Sequence, residues 1–160
     1  MEMKKEINSR KTIWLPIYDV EFEITINIQE KDLYLKAAQY VTNRYAAYYN
    51  RYRESKKETE IGIITMLDIE ITKYKITRDY VEDEKSSKIE KSMDILGHTF
   101  TTTICKKEEN LWELAAASAS NRYSDYADHY KDNKDEHEII LMTLLDLELT
   151  SIGAPGFFRG

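Results

Sequence analysis

The chain has 160 residues, 42% of them apolar and 32% charged, with a formal net charge of −6 at pH 7; this is the profile of a folded globular protein of one domain or two small ones. The negative charge is spread along the chain and leaves no basic stripe, which argues against nucleic acid as a partner. Cys105 is the single cysteine, so there is no internal disulfide and no multi-cysteine metal site; the start "MEMKKEINSR" has no apolar leader and no run long enough to span a bilayer follows, so a cytoplasmic protein without a membrane partner is expected.

Residues 1–14 read as an N-terminal extension. Leu15 and Ile17 then precede a turn, and Phe22, Ile24, Ile26 and Ile28 alternate with Glu21, Glu23, Thr25 and Asn27, the period-2 pattern of a strand with one wet face. This predicts a hairpin with Asp19-Val20 at its tip, a pair that suits a tight primed turn poorly. Pro16 cannot donate to a ladder, which predicts an edge position there. Asn27 with Glu30 reads as a capping box. A helix follows, with Leu33, Ala37, Val41, Tyr45, Tyr48 and Tyr52 on one face. After a polar stretch, "IGIITMLDIEI" from Ile61 is apolar around much of its circumference, as in a helix buried on several sides. Residues 77–92 are rich in charge and read as a solvated linker or helix extension.

The chain then repeats itself. "NRYAAYY" at 43–49 returns as "NRYSDYA" at 121–127, and "LDIE" at 67–70 as "LDLE" at 145–148, both at an offset of 78. From Phe22 to Thr72 this overlay gives 21 identities in 51 positions, against roughly one in twenty for unrelated sequences. The second copy supplies Met93 and Ile95, then Phe100, Thr102 and Ile104, as a hairpin with Gly97-His98 at its tip and glycine placed for a type II′ turn. Its helices carry Leu111, Ala115, Ala119, Tyr123, Tyr126 and Tyr130, then "IILMTLLDLEL". Cys105, at the place of Asn27, is a poor cap.

A unit of about 58 residues arranged strand, strand, helix, helix is marginal alone. Fusing two such units provides within one chain the contacts of a two-fold dimer. The expected architecture is therefore α+β: repeats at 15–76 and 93–152 packed as an intrachain pseudo-two-fold dimer, with a tail at 153–160 whose Phe157-Phe158 pair tucks back on the body. The interface is consumed within the chain, which predicts a monomer, with a dimer of chains as the alternative.

No catalytic constellation is legible. His98, His129 and His137 stand opposite Val20, Arg51 and Thr59, so no histidine belongs to the repeated design. There is no phosphate-cradling glycine loop, nucleophile elbow or HExxH, and no Glu-x-x-His pair for a di-iron bundle. The expectation is a protein that is not an enzyme and holds no cofactor or metal. Arg44 and Arg122 recur at the margin of the buried stripe. They are read either as ion-paired to a repeated acid of the second helix (Asp68, Glu70, Asp146 or Glu148) or as partner-binding residues.

In "ILGH", "FTTTIC", "KEENL", "AAASASNR" and "EIILMTLLDLEL" the second copy resembles, in order and spacing, the head domain of the ZapA family of bacterial cell-division proteins. Through the repeat the resemblance extends to the first copy. It implies dimerisation and association with FtsZ filaments during septation, and hence a scaffold or adaptor role. The family's Gly-Arg turn corresponds to Gly97-His98 in one copy and Asp19-Val20 in the other, which makes Gly97 and His98 partner-binding candidates beside Arg44 and Arg122. Two heads stand in one chain here, where the family has one head and a long coiled coil. Two other readings remain open: a small-molecule or enzymatic pocket between the copies, suggested by the Tyr-rich helices and unrepeated histidines, and a structural role in an unrelated assembly.

Overall fold

The computed structural model describes residues 9–77 and 87–151; the expectations for the linker centre, the Phe157-Phe158 tail and the first residues lie outside that range. Strands β1 (Arg10–Ile17) and β2 (Val20–Asn27) are followed by helices α1 (Lys31–Tyr52) and α2 (Glu58–Thr77). Strands β3 (Lys88–Ile95) and β4 (His98–Cys105) are followed by α3 (Glu109–Tyr130) and α4 (Glu136–Ser151). Each hairpin is its own two-stranded antiparallel sheet. The α+β order of hairpin, helix, helix, written twice, is as expected.

Two boundaries differ from the expectation. β1 begins at Arg10, paired with Asn27, and β3 begins at Lys88, paired with Cys105. The residues just before 15 and 93 are thus strand, because Ile13 continues the inward phase of Leu15 and Ile17 while Trp14 points out. The repeat reaches one residue further: Ile28 N–H donates to Ser9 O at 3.0 Å and Lys106 N–H to Ser87 O at 2.8 Å, the same bond at the same offset.

Both tips lie one residue earlier than expected. Ile17 pairs with Val20 and Ile95 with His98, so the two-residue loops are Tyr18-Asp19 and Leu96-Gly97. The inward phase of Ile17 and Ile95 fixes this register, since a slip of one would turn every apolar side chain outward. Leu96 (φ 53) and Gly97 (φ 83) are both left-handed, as a type I′ turn requires, and glycine fills its second place. His98 therefore belongs to β4 and is not a turn residue. Tyr18 (φ 55) is left-handed without being glycine; its N–H donates to Thr42 Oγ1 at 2.8 Å and its ring meets Tyr45 edge-on at 5.0 Å, which offsets the strain. Pro16 pairs with Glu21, one step before the closing pair Ile17–Val20, where alternation leaves its nitrogen facing outward.

Asn27 caps a short 3₁₀ turn, accepting from Gln29 N–H at 3.0 Å, and α1 itself starts after that turn. Cys105 gives no side-chain cap at the corresponding place. Along α1 the residues Ala37, Ala38, Val41 and Tyr45 are buried, and along α3 Ala115, Ala116, Ala119 and Tyr126. Tyr123, expected in the core with Tyr45, is half-buried, and Tyr126 takes the fully buried place. The two copies differ in what covers the tyrosines: Tyr18 lies on Tyr45, whereas Leu96 stands at the corresponding turn of the second copy.

The second helices are apolar all round because they are covered all round; from Ile139 to Leu149 no residue is more than 8% exposed. One core joins the first hairpin and α1 to α4, and another joins the second hairpin and α3 to Ile63, Leu67 and Ile71 of α2. Contacts recur reciprocally. Lys56 lies over Phe100 at 5.8 Å and Lys134 over Phe22 at 5.5 Å. Thr59 bonds Glu136 as His137 pairs with Glu58. Gly62 faces Ile140, its own counterpart. A residue that meets its own equivalent marks the axis of a two-fold, so the copies interlock as a pseudo-dimer.

Candidate functional site

Arg44 and Tyr48 are four apart on α1, hence on one face, and both reach Asp68 of α2. Arg44 Nη1 pairs with Asp68 Oδ2, and its guanidinium lies 4.8 Å from the centre of the Tyr40 ring. Burial, then the Asp68 charge and its hydrogen bond, push the Tyr48 hydroxyl up to about 12. The second copy repeats the arrangement: Arg122 Nη1 is 2.6 Å from Asp146 Oδ2, and Tyr126, like Arg122, acts to lower the pKa of the same carboxyl. Both arginines of the Asn-Arg-Tyr triplets are therefore engaged internally, with the aspartates as their acids. Glu70 is paired instead with Lys73 at 3.1 Å.

Between the copies lies a cleft of about 440 Å³, walled by α1 and α2 on one side and by β4 and α3 on the other. Tyr48 and Tyr52 line it as a nearly parallel pair, 6.3 Å between centroids and 9° between planes. Phe100, Thr102 and Trp112 face them from the second copy, and Lys56, Asp68 and Lys75 are the charged residues of the wall. Across the pseudo-two-fold the surroundings are tighter: Tyr126 and Asp146 are fully buried and Tyr34, counterpart of Trp112, is 4% exposed.

A third cluster is centred on two residues that do not recur, His137 and Asp19. His137, at the start of α4, has Nε2 2.6 Å from Asp19 Oδ1 of the first hairpin tip, and its Nδ1 faces Glu58 of α2. Tyr45 donates to the same Glu58 at 3.5 Å, and the rings of Tyr18 and Tyr45 stand edge-on to the imidazole. A carboxylate at each ring nitrogen matches the imidazolium, in which both nitrogens donate. Burial lowers the His137 pKa, but Asp19 and Glu58 outweigh it and leave the group above its ordinary value. Sequence spacing could not reveal this site, since His137 and Asp19 are 118 residues apart and neither recurs.

The pH dependence follows from the sign of that shift. A histidine whose folded pKa is raised contributes fully below its unfolded value near 6.5 and loses the contribution as pH rises through the folded value. Asp19 and Glu58 are well exposed, so solvent holds the effect to about 1 kcal/mol. Urea denaturation of the parent and of His137→Gln should therefore differ more at pH 6 than at pH 9. A difference independent of pH would assign the cluster to packing alone.

Of the residues singled out from sequence, the structure joins Arg44 to Asp68 and Arg122 to Asp146, and leaves Gly97 and His98 at the end of the second hairpin. The group around His137 escaped that reading, as did the one-sidedness of the cleft. Compared with protein-family models, curated proteins and solved structures, the chain matches none.

Proposed function

We propose that the chain is a non-enzymatic scaffold or adaptor of ZapA type that associates with FtsZ filaments in the cytoplasm. The observation that carries this reading is the reciprocal interlock of two like units, seen in the Lys56–Phe100 and Lys134–Phe22 contacts. A two-fold body presents the same kind of face twice, in opposite directions, and so can bridge two copies of one polymer. The order of hairpin, Ala-paired helix and apolar helix in each unit accords with the sequence resemblance. No helix among the described residues is long and apolar enough to cross a membrane.

Co-sedimentation with FtsZ polymerised by GTP tests the proposal. The expected result is enrichment of the chain in the pellet, together with thicker filament bundles by electron microscopy. A chain that stays in the supernatant and leaves the filaments single would refute the assignment.

A further inference from the structure

The cleft between the copies is not required by the repeat, because the equivalent residues on the other side of the pseudo-two-fold are closed in. Among the substitutions between the copies along the open side, Trp112 stands for Tyr34, Thr102 for Ile24 and Thr101 for Glu23. Thr102 is on the inward phase of β4, as Ile24 is on that of β2, where it packs against the first core. A shorter, hydroxyl-bearing residue has replaced an apolar one where the cleft opens.

The charges around the cleft do not cancel. Asp68 is neutralised by Arg44, and Lys75 by Glu108 at 2.9 Å. Lys56 has ring contacts to Tyr52 and Phe100, at 6.0 and 5.8 Å, and no carboxylate partner among the described residues. Its counterpart Lys134 reaches Glu138 at 4.0 Å. One uncompensated cation is thus left at the wall. The indole Nε1 of Trp112, a residue of the wall, is sealed from solvent and has no acceptor among the described residues, a state that costs free energy. The rest of the lining combines aromatic and aliphatic side chains with four threonines, and the volume lies within the range of small-molecule sites.

We infer that this cleft binds a small amphipathic carboxylic acid, its apolar body between the Tyr48–Tyr52 pair and Phe100, and its carboxylate on Lys56. The Thr102 hydroxyl is left for a polar atom of the ligand body, since Thr72, Thr99 and Thr101 bond Asp68, Asp94 and Ser92. An amine is disfavoured, because the one available acid, Asp68, is already held by Arg44 and Tyr48. This inference is independent of the filament assignment.

The test uses Trp14→Phe, which removes an exposed side chain and leaves Trp112 as the sole tryptophan, since the chain has two. 4-Phenylbutyrate and decanoate are the probes, with 4-phenylbutanamide as the uncharged control. Saturable change of Trp112 emission is expected with at least one acid, with the amide about tenfold weaker or more, as loss of a charge-assisted bond predicts. Lys56→Gln should weaken the acid by a similar factor, and Lys134→Gln should leave it unchanged. Thr102→Ile, which restores the residue of the closed copy, should abolish binding while preserving or raising the melting temperature. The inference is overturned if neither acid gives saturation, if the amide binds as well as the acid, or if Lys56→Gln and Lys134→Gln act alike. It is equally overturned if Thr102→Ile melts like the parent and still binds.

Discussion

Gly62→Ile is expected to destabilise the fold by about 2 kcal/mol or more, and Gly62→Ile combined with Ile140→Gly is expected to recover most of that loss. A Cβ on Gly62 would sit 2.6 Å from Ile140 Cγ2 and 3.3 Å from its Cδ1, and Cγ2 is attached at the branch point, so it cannot swing away as the end of a long chain could. The helix itself gains up to about 1 kcal/mol when glycine is replaced, so the clash must exceed that gain for the effect to appear. At a helix crossing where Ile140 is fully buried, the neighbours have little room to yield. Ile140→Gly alone should cost more, about 3 kcal/mol or above, through the cavity it leaves and the added helix glycine. The double variant places the knob on the other helix and should be more stable than either single one. In thermal melts a loss of 2 kcal/mol is a drop of roughly 4–8 °C for a chain of this size. Additive losses in the double variant would mean that α2 and α4 do not meet at this point. The geometry also shows what fusion permits: in a symmetric dimer this residue would face itself, whereas one chain can set glycine against isoleucine.

The repeat made much of this architecture legible, because contacts related by the pseudo-two-fold leave paired traces in the sequence. Arg44 with Asp68 and Arg122 with Asp146 could be anticipated since all four residues recur, and the apolar circumference of α2 and α4 announced their burial. The same filter hid what is specific to one copy. His137 and Asp19 do not recur and meet, with Glu58, only in three dimensions; the histidine stands where the first copy has Thr59. The hairpin tips were displaced by one because glycine drew the turn toward itself, while the register is set by the inward isoleucines. Tyr123 and Tyr126 lie on the same helical face, and that Tyr126 is the one sealed is something periodicity does not report. The opening of the cleft likewise goes with exchanges such as Thr102 for Ile24 and Trp112 for Tyr34, a matter of packing volume rather than pattern.

Arg122→Ala is expected to cost about 3–5 kcal/mol at pH 7, a large part of the stability of an ordinary domain, and Arg44→Ala only about 1 kcal/mol. The two ion pairs are equivalent in sequence and unequal in surroundings: the Asp146 side chain is fully buried, whereas that of Asp68 is 20% exposed. Removing Arg44 leaves a carboxylate that water can reach; removing Arg122 leaves one that water cannot. Burial already raises the Asp146 pKa above its ordinary value despite Arg122, and buried Glu70 adds to the rise. Without the guanidinium it must rise further. A carboxyl whose folded pKa is raised binds its proton more tightly in the folded state, so its penalty is complete above the folded pKa and vanishes as pH falls toward the unfolded value of 3.8. The deficit of Arg122→Ala, read by urea denaturation, should therefore shrink between pH 7 and pH 5, and adding Asp146→Asn should restore much of it at pH 7. Equal, pH-independent losses for the two arginines would mean that both pairs behave as surface pairs. If both variants melted like the parent and yet failed to sediment with filaments, the Asn-Arg-Tyr triplet would be a partner contact, and the carboxylates beneath it would serve to hold the guanidinium groups in place for that partner.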